Sequence, residues 1–132
     1  TILYYCGSND VNAGEDAAGI AERFRLFSEL TRDRLPDTDI FFGAINRSPE
    51  KKERWAVVDE ANQLVASYCE TQDGRTFVNL NQVLEADDGS TRQDMFLPDQ
   101  LHLRHEPGKI YFLMKSTESL YVSKFWSLYV IP

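Results

Sequence analysis

The chain has 132 residues, enough for one domain with one core rather than two. Hydrophobic residues make up 42% and charged residues 27%, a globular balance that excludes a disordered chain. The net charge is −7, from 21 acidic against 14 basic side chains, and no basic cluster offsets it, which excludes nucleic acid as an expected partner.

In chain order, Ile2 to Cys6 is a short, wholly apolar run, the pattern of a parallel strand buried on both faces. It runs into the polar corner Gly7-Ser8-Asn9-Asp10. From Asp16 to Leu35 the residues Ile20, Phe24, Phe27 and Leu30 recur at helical spacing, and Pro36 and Asp37 stop the helix. "IFFGAI", Ile40 to Ile45, is a second strand-length apolar run, followed by the polar loop "NRSPEKKER". Trp55, Val58, Asn62, Val65 and Cys69 mark one face of a second helix, with Trp55 expected in the core and Asn62 expected to satisfy buried backbone groups. Thr76 to Leu80 is a third strand. The alternation of buried-type strands and helices predicts an α/β fold with a parallel sheet.

A polar stretch, "EADDGSTRQD", and then "MFLPDQLHLRHEPG" follow the third strand. The tail from 110 to 132 is rich in aromatic residues but forms no single helical stripe. No apolar run approaches the ~20 residues that a membrane span needs. Cys6 and Cys69 form no CxxC and read as buried free thiols, which favours a reducing compartment such as the cytoplasm.

Two segments could carry chemistry. Gly7 to Asp10 stands at the carboxyl end of a strand, where open α/β sheets bind ligands, and Asn9 has a neutral amide donor suited to an oxyanion. The same residues also favour an ordinary turn. Asp99 and His102, three apart in an irregular segment, can meet around a turn, so that the carboxylate fixes the imidazole tautomer for general base work. A chance pairing of surface residues is the alternative. A metal set from Asp99, His102, His105 and Glu106 is disfavoured, since His-x-x-His needs a helix that Pro107 opposes; no metal or cofactor is expected.

In order and spacing, roughly ninety residues from Asn9 to Asp99, GxND and DxxH resemble two sequence blocks of the SGNH, or GDSL, hydrolase family. "LPDTDIFFGAI", "DEANQLV" and "FVNLNQVL" followed by "MFLPDQLHL" resemble the elements between, so the resemblance covers about residues 2 to 108. It implies a three-layer, flavodoxin-like fold with strand order 2-1-3-4-5, of which this chain would supply the last three strands. Residues 1–109 would be the C-terminal part of one hydrolase domain and 110–132 a divergent tail. The resemblance further implies an esterase with an acyl-serine intermediate acting on a small acyl or acetyl ester, with His102 as base, Asp99 orienting it, Asn9 in the oxyanion hole, and Gly7 and Asp10 in support. None of the nine serines stands in a Gly-Asp-Ser block, so no nucleophile is expected in this chain. Gly108 lies six residues after His102, where relatives show five, with Pro107 between. The alternative reading is a non-catalytic remnant or interaction module. In either case the first strand would be an open edge, able to pair with an N-terminal complement or a second copy.

Overall fold

The structure, a computed structural model, describes residues 1–79 and 81–104. The tail at 110–132, the boundary at 109 and the residues His105, Glu106, Pro107 and Gly108 lie outside the described residues.

Strand β1 (Ile2–Tyr4) pairs with β2 (Ile40–Gly43), which pairs with β3 (Arg75–Val78), all parallel, in the order β1-β2-β3. Between β1 and β2 lie the short α1 (Ser8–Asn12) and the long α2 (Ala17–Arg34); between β2 and β3 lie a 3-10 helix (Pro49–Arg54) and α3 (Trp55–Glu70). The register puts Ile2, Ile40 and Arg75 in one row and Tyr4, Phe42 and Phe77 in the next row of the same face. Both long helices pack on that face. Ile20 and Phe24 from α2 meet Val58, Ala61, Val65 and Cys69 from α3 over Ile40 and Phe42. Tyr4, Phe42 and Phe77 stack across the strands at 5.6 and 5.9 Å, and Phe24 meets Phe42 edge-on at 4.8 Å.

Helix α2 begins where Asp16 accepts the Gly19 N–H at 2.7 Å and ends just before Pro36. Its buried face runs Ile20, Phe24, Ser28, Thr31, so the expected position of Leu30 is corrected: Leu30 is 57% exposed. A period of 3.6 drifts past it, and the small Ser28 takes the inward place. There Ser28 receives Arg75, whose Nε donates to Ser28 Oγ at 2.7 Å. Arg75 Nη1 reaches the Thr38 and Gly74 carbonyls at 3.0 and 3.1 Å. A buried guanidinium thus ties the start of β3 to α2 and to the turn before β2.

The first strand is also shorter than the expected Ile2–Cys6, and less buried than its apolar run suggests. It ends at Tyr4 because the chain swings away toward Gly7, and among the described residues it is the edge strand that the resemblance implies, paired on one side only; Leu3 and Tyr5 are each 49% exposed. Cys6 lies past the strand end and is exposed, which corrects its reading as a buried thiol. Cys69 is buried, and that burial pushes its thiol up to about 11. Trp55 lies outside the main cluster at the start of α3, where its Nε1 donates to the Ser48 carbonyl at 2.9 Å and the Arg47 guanidinium covers its ring. Among the described residues no helix is long and apolar enough to cross a membrane.

Candidate functional site

The carboxyl ends of the three strands carry the site residues. After β1, Gly7 has φ +113 and its carbonyl accepts the Val11 N–H at 3.0 Å, which starts α1. A Cβ on Gly7 would stand 2.5 Å from Ile45 Cδ1, so only glycine lets this corner close on the loop after β2. Asn9 sits in α1 with an exposed side chain that makes no hydrogen bond among the described residues. Asp10 is held instead by Arg23 of α2, at 2.8 Å, with Glu15 on the other guanidinium nitrogen at 2.9 Å.

After β2, residues 44–48 are pinned from three directions. Asn62 accepts the Ile45 N–H and donates to its carbonyl, and Asn81 Nδ2 donates to that same carbonyl at 2.9 Å. Asn81 Oδ1 accepts the Arg47 N–H at 2.8 Å, and the Thr91 hydroxyl donates to the Arg47 carbonyl. The Arg47 side chain is committed to Asp59 through two bonds, at 2.6 and 2.5 Å.

After β3 the chain builds a hairpin. Phe96 bridges Leu103, the Arg104 N–H donates to the Met95 carbonyl, and Met95 and Phe96 are buried with Leu84 in a second small core. Asp99 and His102 stand at the tip. Asp99 Oδ1 accepts the N–H groups of both Leu101 and His102 at 3.0 Å, and Oδ2 lies 2.7 Å from His102 Nδ1. The His102 N–H above all, then the imidazole and the Leu101 N–H, hold the Asp99 carboxyl down to about 2. An ionised carboxylate has no proton to give, so the hydrogen on this bond belongs to Nδ1, and in neutral His102 Nε2 keeps its lone pair. The His102 side chain is 68% exposed, and its Nε2 makes no hydrogen bond among the described residues.

The fold thus brings Asp99 and His102 together, while Asn9 makes no direct bond to them. They are joined through the loop after β2, which Gly7 packs against and whose continuation donates from the Glu50 N–H to the Gln100 carbonyl at 3.1 Å. Among the described serines none bonds to His102: Ser28 is engaged by Arg75, Ser90 by Asp88, and Ser48 is fully buried. Among the described residues no three His, Cys, Asp or Glu side chains are grouped to hold a metal. Sequence reading missed Asn81, Thr91 and Glu50. Asn81, directly after the last strand, carried a weak signal as a turn-forming residue; Glu50 acts through its backbone and carried none.

Solved structures share this fold. A protein provisionally described as a platelet activating factor from Streptococcus pneumonia superposes with a TM-score of 0.71 at 16% identity, over 87% of this chain and 56% of that one. The chain has the α/β fold of that structure, a parallel sheet with helices. A carbohydrate esterase of family 3 from Talaromyces cellulolyticus matches with a TM-score of 0.64 at 18% identity, over 88% of this chain and 57% of that one. An acetyl esterase serine-to-alanine mutant with an acetate ion matches equally, at 0.64 and 17% identity, over 88% and 59%. The chain therefore spans under two thirds of the length of these structures. No family profile and no curated protein matches the sequence.

Proposed function

We propose that this chain supplies the base and part of the oxyanion hole of an SGNH-type esterase acting on a small acyl or acetyl ester. The observation that carries the reading is the 2.7 Å contact between Asp99 Oδ2 and His102 Nδ1, with Nε2 left open to solvent. His102 Nε2 takes the proton of a serine hydroxyl as its oxygen attacks the ester carbonyl, and Asp99 stabilises the imidazolium. Asn9 donates its side-chain N–H to the oxyanion, a contribution of about a hundredfold to a thousandfold in rate. His102 then protonates the departing alcohol, and water releases the acyl group by the same route. The serine comes from polypeptide outside residues 1–132, on a strand that pairs with the open edge of β1. The structural likeness to two esterases supports this reading at the level of fold.

Hydrolysis of p-nitrophenyl acetate tests it, measured on the 132 residues alone and on the product of the complete reading frame. Turnover is expected only where a Gly-Asp-Ser block is present. Serine-dependent turnover by the 132 residues alone overturns the external nucleophile. An inactive complete product carrying that block favours the competing reading, an interaction module that pairs through β1.

A further inference from the structure

Between Asp99 and His102 stands Gln100, whose φ of +58 makes it the one non-glycine residue with positive φ among the described residues. A left-handed backbone disfavours an L side chain and persists only where surrounding contacts hold it. The contacts are present on both sides. The Gln100 N–H donates to the Leu97 carbonyl at 2.9 Å, and the Leu97 N–H donates to the His102 carbonyl at 2.7 Å. The Gln100 carbonyl accepts the Glu50 N–H at the start of the 3-10 helix. That helix is itself fixed: Lys51 is buried with its Nζ 3.1 Å from Glu50, and the Ser48 carbonyl takes both the Lys51 N–H and Trp55 Nε1.

We propose that Gln100 is a positioning residue for His102, its left-handed backbone, clamped by the Glu50 N–H, turning the chain so that one Asp99 carboxylate meets two amides and the imidazole together. The requirement is one of conformation, not of the glutamine side chain, whose amide makes only a long 3.4 Å bond to the Leu97 carbonyl. An extended residue at 100 would carry the 101 and 102 amides away from Asp99 Oδ1. The imidazole would then lose the partner that keeps its hydrogen on Nδ1. The proposal rests on the esterase reading of Asp99 and His102 and adds the element that holds them in register.

The test is the tautomer of His102, read from proton–nitrogen correlation spectra of the full chain at neutral pH, together with hydrogen exchange at the His102 amide. Gln100→Gly and Gln100→Ala are expected to keep the Nδ1–H tautomer and slow exchange, because glycine favours positive φ and alanine, unbranched at Cβ like glutamine, is strained there no more than the residue it replaces. Gln100→Val, β-branched, is expected to lose that tautomer and to exchange about tenfold faster. Retention of both signatures in Gln100→Val overturns the proposal and leaves the esterase reading standing. An Nε2–H tautomer in the unsubstituted chain overturns the Asp99–His102 pair and the esterase reading with it. If Gln100→Val does not fold, Gln100→Gly decides: loss of the tautomer there means that the side chain, not the backbone, is what matters, and the proposal fails.

Discussion

Asn62 holds both backbone groups of Ile45, its Oδ1 accepting the N–H at 2.8 Å and its Nδ2 donating to the carbonyl at 3.0 Å. One side chain from α3 thereby stands in for ladder partners at Ile45, one residue past the last β2–β3 bond, from the Ala44 N–H to the Val78 carbonyl. Among the described residues the Ile45 carbonyl has a second donor in Asn81, but the N–H has only Asn62. Asn62→Ala should destabilise the fold by about 1–3 kcal/mol, the cost of a buried unsatisfied donor. Urea denaturation measures it, and Asn81→Ala should cost less, since it leaves the buried Ile45 N–H bonded and frees only the half-buried Arg47 N–H.

Arg75 is buried among neutral oxygens, and hydrogen bonds to a charged group contribute about 1.5–3 kcal/mol each. Arg75→Met should destabilise by about 2–4 kcal/mol, because the Thr38 carbonyl loses its donor while the Ser28 hydroxyl is stranded in the core. Ser28→Ala should cost less. Denaturation of the double variant should show less than the sum of the two, since both remove the same bond.

Gly7→Ala meets two obstacles, a positive φ and the methyl groups of Ile45 and Ile20. A destabilisation of about 1–3 kcal/mol is expected from the backbone alone. Ile45→Val removes Cδ1, the atom nearest the new Cβ. The double variant should therefore be more stable than the separate losses imply, as thermal melts of the four proteins would show.

The hairpin tip should carry an acid-sensitive contribution. The folded state holds Asp99 at about 2, below its ordinary 3.8, so the stabilisation is complete above the ordinary value and is lost as pH falls through the folded one. In that window the unfolded chain binds more protons, so stability rises with pH. Comparing urea midpoints of the unsubstituted chain and Asp99→Asn from pH 5 to pH 2 should show the gap between them shrinking toward acid.

Much of this was legible in the sequence because it is written locally. Asp16 and Pro36 bound α2, the apolar runs mark β1 and β2, and the three-residue spacing of Asp99 and His102 suits a turn. What was not legible depends on partners far along the chain. The resemblance implied that β1 is an edge, but burial follows from pairing and not from composition, so an apolar run read as buried on both faces has Leu3 and Tyr5 half exposed. Arg75 reads as a polar residue before a strand, yet it is the first residue of β3, its Nε–H accepted by the hydroxyl of Ser28, forty-seven positions away. Gln100 gives no sign of a left-handed backbone, which sequence usually signals with glycine or asparagine.

The most direct test of the account is the ester hydrolysis rate of the complete reading-frame product with and without His102→Ala. A general base in this role contributes orders of magnitude, so kcat should fall about a thousandfold or more while circular dichroism stays unchanged. Full retention of kcat in His102→Ala would contradict the account.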